Sequence, residues 1–554
     1  MQVQGTCSFE YDKMILYMEN PKEKIYSILQ GLAMDLGVND IEFQVNKPKV
    51  MAHGDLASNI ALILSKNLKK PPFELAEELV EKIKTSHSDV FEKIEAVKPG
   101  FINFYLSKKY LASQVEKIIK EGSAYGSSDL GKGKKVSVEF VSANPTGPLH
   151  IGNARGGPLG DTIANVLSKL GYQVTREYLH NDVGGQVQKL GEAIYFAINP
   201  DKKPKDVEFQ YQGEYVKELA DVVSKKLGKD LLEAEFSKKA GEIAVELMLS
   251  EILKDCEAMG IKFDIVTKES DLKKDVPEAL DKIKKFLKEK DGALWFAPSD
   301  EFLKDRETVV KKSDGEYTYF ASDIAYHKQK MMHCDILIDI LGANHSGHVP
   351  KLFAVVKALS FDPNNLKVVL YQWIRLKRAN EIVKMSKRAG TFVTAKEVLD
   401  EVGKDAFRFF LIMTNSSTHM DFDLDLAKKK ASDNPVFYVQ YAHTRIVSIF
   451  KKAKSADFSK ADLSLLKEPE EIDLIRKLID FPDLVEEVSK TFAVNNLATF
   501  ATELASFFHK FYEKQQVISE DEKLTEARLA LLKATQNTLK NTLDLLGVSA
   551  PEEM

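Results

Sequence analysis

The chain has 554 residues, of which 44 % are hydrophobic and 29 % are charged, and its formal net charge is −5. This is the composition of a globular protein, in which any binding to nucleic acid would have to use local basic patches. The sequence has no apolar run of about 18 residues, no apolar core near its start and no Cys-x-x-Cys pair. We therefore expect a cytoplasmic protein with no membrane span, no signal peptide and no zinc site.

The first 120 residues show the mixed periodicity of an α+β domain. Helices are predicted at 21–36, at 56–68 and from Pro71 onward, and a strand is predicted at 100–107. The segment from Glu121 to Lys135 is rich in glycine and serine, which indicates a linker.

From Val136 the pattern becomes that of a parallel α/β sheet. Strands at 136–142 and 172–180 flank a helix, which is the spacing of a right-handed βαβ unit. Residues from about 186 to 290 are rich in lysine and glutamate and are predicted to form a helical insertion. Strand-like runs return at 335–343 and 366–374. We therefore predict an α/β domain at 130–430 and an all-helical domain at 431–554.

The segment ANPTGPLHIGNARGG, residues 143–157, lies where the first strand of this sheet gives way to a helix. Free N–H groups and the helix dipole favour an anion at such a position. His150 and Asn153 can each donate a hydrogen bond to a phosphate oxygen, and Gly152 leaves room for a base against the backbone. Taken alone, an ordinary helix cap explains this tetrapeptide equally well.

A second segment, KMSKRAG, follows the last predicted strand and gathers Lys384, Lys387 and Arg388 in a loop that ends in glycine. A mobile cationic loop can neutralise the charge that develops as pyrophosphate leaves a triphosphate. Together the two segments resemble the signatures of the class I aminoacyl-tRNA synthetases, His-Ile-Gly-His and Lys-Met-Ser-Lys-Ser. The departures are Asn153 for the second histidine, which still donates a hydrogen bond, and Arg388 for the last serine.

Within class I, the chain resembles the bacterial type of arginyl-tRNA synthetase along almost its whole length, in stretches such as MAHGDLASNIALILSK, YLHNDVGGQV, GANHSGHVPKL and LGVSAPEEM. The resemblance implies ATP-dependent attachment of L-arginine to its tRNA through an arginyl-adenylate. It also implies a Rossmann-like catalytic domain, a tRNA-binding domain at 1–120 and an anticodon-binding domain at 431–554. ATP with Mg²⁺, arginine and tRNA are the expected ligands, and a monomer is expected.

The resemblance also assigns roles to individual residues. It assigns catalysis to His150, Asn153, Lys384 and Lys387. ATP contacts are assigned to Pro148, Leu149, His150, Gly152, Asn153, Gly342, His345, Met385, Ser386 and Arg388. Arginine contacts are assigned to Glu139, Asn144, Tyr319, Asp323 and His345. Carboxylates at Glu139 and Asp323 fit a guanidinium, which pairs best with carboxylates in a bidentate manner. Roles for Asn181, Asp182, Gln186, Asn344 and His348 stay open.

Contacts with tRNA are expected from the helix PVFYVQYAHTR and from the end of the chain. Unpaired bases are read by stacking and by hydrogen bonds to their edges, but aromatic residues at helical spacing also build cores. We therefore expect some of Tyr438, Tyr441 and Arg445, together with Met554, to contact the anticodon. Two alternatives stay open: a class I nucleotidylyl transferase that acts without tRNA, and a non-catalytic RNA-binding relative.

Overall fold

The computed structural model describes residues 20–48, 50–87, 89–204, 209–228, 232–304, 306–379, 381–383, 393–453 and 461–554. Cys7 and the predicted loop residues Lys384, Met385, Ser386, Lys387 and Arg388 lie outside these ranges. None of the helices within them combines the length and the apolar character that a membrane span requires.

The N-terminal part is an antiparallel sheet packed against helices. Its elements are α1 (Pro21–Asp35), β1 (Val45–Asn46), β2 (Leu56–Ser58), α2 (Ile60–Leu68), α3 (Pro72–Ser86), β3 (Phe91–Val97), β4 (Phe101–Leu106) and α4 (Lys108–Glu121), with strand order β1-β2-β4-β3. The prediction of one helix over 56–68 is wrong for its first four residues. Leu56–Ser58 pairs with β4 as an antiparallel strand, so the helix begins only at Ile60.

The second part is built on a parallel sheet. Its elements up to the fourth strand are β5 (Lys135–Glu139), α5 (Ile151–Ala154), α6 (Gly156–Lys169), β6 (Gln173–His180), α7 (Gly185–Ile198), α8 (Glu214–Leu227), α9 (Glu233–Ala258), β7 (Ile265–Lys268), α10 (Glu269–Leu272), α11 (Val276–Lys282), β8 (Leu287–Lys290), β9 (Ala293–Phe296), β10 (Thr308–Lys311), α12 (Tyr319–His333) and β11 (Ile336–Gly342). The next are α13 (Val349–Ala358), β12 (Leu366–Tyr371), β13 (Ile374–Arg378), β14 (Glu381–Ile382), α14 (Ala395–Val402), α15 (Lys404–Ile412), β15 (Met420–Asp423) and α16 (Leu424–Lys428).

The main sheet has the order β12-β11-β5-β6-β7, and all of its pairings are parallel, as the βαβ pattern predicted. The strand predicted at 136–142 is shorter than expected because the chain leaves the sheet after Glu139, and Val141 and Ser142 have φ of 68° and 35°. The run predicted as one strand at 366–374 is two strands in different sheets, since β12 ends at Tyr371 and β13 begins at Ile374.

The predicted helical insertion is shorter than 186–290. Helices α7, α8 and α9 share a hydrophobic core of their own, but Ile265–Lys268 is the edge strand β7 of the parallel sheet. Leu287–Lys290 belongs to a separate antiparallel sheet, β10-β9-β8. A third small sheet has the order β14-β13-β15. Its strand β14 ends two residues before the predicted lysine loop, and β15 follows that loop only after α14 and α15.

The last part is a helix bundle, as its periodicity predicted. Its helices are α17 (Pro435–Ala453), α18 (Pro469–Leu478), α19 (Phe481–Thr491), α20 (Asn495–Lys514) and α21 (Glu522–Leu546). The carboxylate of Asp521 caps α21 by accepting from the N–H groups of Lys523 and Leu524. The residues after α21 run along α17, where the carbonyl of Pro551 hydrogen-bonds His443 and Thr444.

Candidate active site at the carboxyl edge of the sheet

Most of the predicted site residues lie just beyond the carboxyl ends of the parallel strands, where open α/β sheets bind their ligands. The His150 turn follows β5, the Asn181–Asp182 pair follows β6, and His345 follows β11. Tyr319 is the first residue of α12, which leads into β11, and Asp323 lies one turn later. The topology therefore gathers at one edge residues that are as much as 195 positions apart in the sequence.

His150 is the N-cap of α5. Its Nδ1 accepts a hydrogen bond of 2.9 Å from the N–H of Gly152. Because Nδ1 is the acceptor, the neutral ring carries its proton on Nε2, which can donate to a phosphate oxygen. A Cβ at position 152 would lie 3.0 Å from Nδ1, so the glycine leaves room for this cap. The same imidazole can therefore cap the helix through Nδ1 and bind a phosphate oxygen through Nε2.

The chain that follows the predicted lysine loop packs directly on the His150 turn. His150 and Thr394 form an isolated antiparallel bridge. The N–H of Ala395 donates to the carbonyl of Leu149 at 2.7 Å, and the N–H of Ile151 donates to the carbonyl of Val393 at 3.4 Å. Thr394 lies seven residues after Lys387 in the sequence. The described chain thus returns to the His150 turn four residues after the end of the second signature segment in the sequence.

Glu139 ends β5 in a buried ionic network that the sequence did not reveal. Lys330 Nζ lies 2.6 Å from Glu139 Oε2 and 3.0 Å from Asp339 Oδ1. Ser142 donates to the other oxygen of Glu139, at 3.0 Å. Burial raises the pKa of Glu139, and Lys330 opposes this rise. Since each carboxylate oxygen can accept two hydrogen bonds, the contact of Glu139 with arginine stays a prediction.

A second group of carboxylates lies where α10 and α12 meet. The pKa of Glu269 is raised to about 7, mainly because the side chain is buried and also because the negative charge of Asp323 is close by. His348 Nε2 lies 3.1 Å from Asp323 Oδ2. Asp182 accepts from the N–H of Ser270 at 2.8 Å. Glu269 is the residue that sequence reasoning missed, because the strand β7 that directly precedes it was predicted to be part of the helical insertion.

The remaining predicted contacts are distributed around these groups. Tyr319 is 66 % exposed, and its ring centroid lies 6.2 Å from that of His348. Asn181 Nδ2 donates to Asn144 Oδ1 at 2.7 Å, so these two predicted residues touch. Burial and then the charge of His348 lower the pKa of His345, which favours its neutral form. We call the two carboxylates Glu269 and Asp323, with the polar side chains around them at this edge of the sheet, the acidic pocket.

The helix bundle carries an aromatic face about α17 and α20. The Tyr441 ring stacks 5.9 Å from His509, and Tyr438 lies 4.8 Å from the same imidazole. The guanidinium of Arg445 donates to the Tyr441 hydroxyl at 2.9 Å and lies 4.7 Å from the Tyr512 ring. His509 and Tyr512 were not predicted, because they lie on another helix.

Comparison with known proteins agrees with this geometry in all three parts of the chain. The family models that match are the arginyl tRNA synthetase N-terminal domain at 19–106, the catalytic domain of class I tRNA synthetases (R) at 114–432 and the DALR anticodon-binding domain at 439–554.

Relatives of nearly equal length agree with these models. The arginine–tRNA ligase of Carboxydothermus hydrogenoformans is 41 % identical over 96 % of this chain and 98 % of its own, and that of Caldanaerobacter subterraneus is 42 % identical over 95 % and 96 %. The Thermus thermophilus arginyl-tRNA synthetase has the same fold, with a TM-score of 0.76 at 23 % identity over 96 % of this chain and all of its own. The chain therefore belongs to the class I arginyl-tRNA synthetases, enzymes that use ATP to attach arginine to tRNA.

Proposed function

We propose that the carboxyl edge of the parallel sheet is where this chain forms an arginyl-adenylate and transfers its arginyl group to tRNA. In the first step an arginine carboxylate oxygen attacks the α-phosphorus of ATP, the bond to the β-phosphate oxygen breaks, and pyrophosphate leaves. In the second step a ribose hydroxyl at the 3′ end of tRNA attacks the carbonyl carbon, and AMP leaves. The contact between His150 and Thr394 is the observation that supports this proposal, since it brings the chain back to the His150 turn four residues after the KMSKRAG segment.

In this proposal, the phosphate contacts come from His150 Nε2, from the Asn153 amide and from the N–H groups at the start of α5. Lys384 and Lys387 stabilise the negative charge that builds up on the departing pyrophosphate. Mg²⁺ arrives bound to ATP, whose phosphate oxygens are the hard ligands that it prefers. No protein nucleophile is needed, because the arginine carboxylate attacks.

The acidic pocket formed by Glu269 and Asp323 is proposed to hold the arginine guanidinium. A planar cation with five N–H donors suits two carboxylates better than the ammonium of lysine does. Tyr319 covers this pocket from the start of α12, and Asn144 with its partner Asn181 receives the α-amino end. Glu139, at the end of β5 and two strands from β7, adds negative charge that Lys330 partly neutralises.

Arginine binding should strengthen as the pH rises through about 7, the pKa to which burial raises Glu269. The guanidinium favours the ionised carboxylate, so binding lowers this pKa and releases a proton. Below the pKa of Glu269 in the free enzyme, each drop of one pH unit should weaken arginine binding by up to about tenfold. Above that pKa the affinity should become independent of pH. Calorimetric titration of arginine between about pH 6 and pH 8 measures this dependence.

The matched variant for this titration is Glu269→Gln, which keeps the shape of the side chain and removes its ionisation. Its affinity for arginine should be lower at high pH and nearly independent of pH. A wild-type profile that is flat, or a Glu269→Gln profile with the same slope, would remove Glu269 from the pocket.

The aromatic face of α17 and α20 is proposed to stack on unpaired anticodon bases. Tyr441→Ala should raise the KM for tRNA about 10-fold, because stacking on one base contributes about 1–3 kcal/mol. The kcat of charging with saturating tRNA should change little. Tyr441→Phe keeps the ring and should behave like the wild type, and an equal loss in both variants would point to the hydroxyl that Arg445 contacts.

The test of the whole proposal is a charging assay with ATP, each amino acid in turn and total tRNA. Charging with arginine alone is the expected result. Adenylate formation without transfer to tRNA would favour a tRNA-independent nucleotidylyl transferase, and RNA binding without either reaction would favour a non-catalytic relative. We also propose that the protein is a monomer and works in the cytoplasm. Analytical sedimentation at the concentration of the assay measures its mass in solution and so tests the monomer.

A further inference from the structure

Arg155 is a fully buried arginine at the junction of α5 and α6, two residues after Asn153. Its side chain is among the largest that are completely buried, with 1 % of the residue exposed. Four backbone carbonyls accept its guanidinium protons. Nη1 donates to Gln372 at 2.8 Å and to Thr418 at 2.9 Å, and Nη2 donates to Thr414 at 3.2 Å and to Asn415 at 3.0 Å.

These four carbonyls all lie in the two segments that enter the small sheet. Gln372 lies two residues before β13, and residues 414–418 directly precede β15. The two strands pair in parallel from Ile374 and Met420 onward, so one guanidinium holds both of their starting points. The chain continues from β13 through β14 to residue 384 and returns to the His150 turn at Thr394.

We propose that Arg155 is a positioning residue for adenylate formation, one that fixes the small sheet relative to the phosphate-binding turn. This inference rests on the proposed function. The Arg155 contacts anchor the start of the small sheet, and the bonds of Leu149 and His150 to residues 394–395 anchor the chain where it returns. In the sequence, the lysines that we assign to the departing pyrophosphate stand between the residues of these two anchors.

The chemistry of the side chain explains why an arginine is used. A guanidinium presents its N–H donors in a fixed planar fork, so it can serve four carbonyls from two separate segments at once. The ammonium group of a lysine carries its three N–H donors on one nitrogen, so it cannot reach all four of these carbonyl oxygens. None of the four acceptors is a carboxylate, so the contacts depend on direction and number of donors more than on charge pairing.

The test compares two buried arginines. Arg408 is also fully buried, but its guanidinium donates to Asp161 at 2.6 Å and to the carbonyls of Met259 and Leu546 at 2.9 Å each. None of these acceptors lies in the small sheet.

Arg155→Lys should lower the kcat of arginine-dependent ATP–pyrophosphate exchange about 10-fold to 100-fold, since misplacement by about 1 Å costs that much. The KM for arginine should change by less than about twofold, because the acidic pocket lies on other elements. Arg408→Lys should lower the melting temperature but keep kcat.

Hydrogen exchange gives a readout that does not depend on activity. The amide of Ala395, bonded to Leu149 O at 2.7 Å, should exchange at least about 10-fold faster in Arg155→Lys than in Arg408→Lys. Arg155→Gln, which removes the buried charge, replaces Arg155→Lys if the latter does not fold. Equal losses of kcat in the two arginine variants, or unchanged exchange at Ala395, would overturn the proposal. If the wild type itself charged no tRNA, the proposed function would fail, and the exchange comparison would still decide the role of Arg155.

Discussion

Replacing Lys384 with alanine is expected to lower the kcat of arginine-dependent ATP–pyrophosphate exchange about 100-fold, with a change of less than about twofold in the KM for arginine. As the bond to the leaving group breaks, negative charge builds up on the pyrophosphate more than on any group of the ground state. A cation aimed at that charge therefore stabilises the transition state more than it stabilises bound ATP. Initial rates of exchange at saturating ATP and varied arginine measure both constants.

The matched control for this prediction is Lys396→Ala. Lys396 lies near the same segment, is exposed, and pairs with Asp400 at 2.7 Å on the surface of α14. Its loss should leave exchange unchanged, since exposed ion pairs of this kind contribute little. If Lys384→Ala exchanged pyrophosphate at the wild-type rate, the lysine would have no part in the chemistry. Equal losses in both variants would indicate a general loss of positive charge near ATP.

The parts of the site that the sequence predicted are those whose chemistry is local. A cap at the start of a helix and a run of cations each fall within a few consecutive residues, so their spacing can be read directly from the sequence. That the two segments share a site was inferred from their co-occurrence and stays a prediction, which is supported by the bridge from His150 to Thr394, four residues after the second segment. The buried partner of Glu139 is different, because Lys330 is 191 positions away and no periodicity joins the two.

Glu269 was missed because the strand that precedes it, β7, has no clear strand pattern in the sequence. The strand β7 has four residues and lies at the edge of the sheet, and Ile265 and Val266 are 46 % and 38 % exposed. An edge strand of this kind shows neither a buried run nor a clear alternation, so the surrounding helical pattern dominated the prediction. Once β7 is placed in the sheet, Glu269 follows its carboxyl end, where a ligand-binding residue is expected.

The helix PVFYVQYAHTR shows a second reason why the sequence alone could not identify the functional residues. Its sequence shows polar and aromatic residues at helical spacing, but which of them are buried depends on a segment about 100 residues later. Gln440 and His443 face that segment and hydrogen-bond Ser549 and Pro551, so both are structural. Tyr441 and Arg445 stay on the accessible face, in agreement with the expectation that only some of the candidates are available to RNA.

Replacing Asp323 with asparagine is expected to raise the KM for arginine about 30-fold to 100-fold. Removing one partner of a desolvated charge pair costs about 2–5 kcal/mol, and the lower part of that range applies here. The Asp323 side chain keeps 21 % of its exposure and already has His348 as a neighbour, so water and that imidazole screen part of its charge. The isosteric amide keeps the shape of the side chain and one acceptor oxygen but not its charge, which separates electrostatics from shape.

Citrulline makes this prediction specific to the guanidinium, because its urea group has nearly the same shape and no charge. The preference for arginine over citrulline in kcat/KM should therefore fall in Asp323→Asn, and fall further when Glu269→Gln is added. Asp281→Asn, which removes an exposed carboxylate paired with Lys284 on the nearby helix α11, should leave both constants unchanged. If Asp323→Asn folded normally and bound arginine with an unaltered KM, the acidic pocket would not be the arginine site. The carboxylate at Glu139 would then be the remaining candidate, and Lys330 would have to release it when arginine binds.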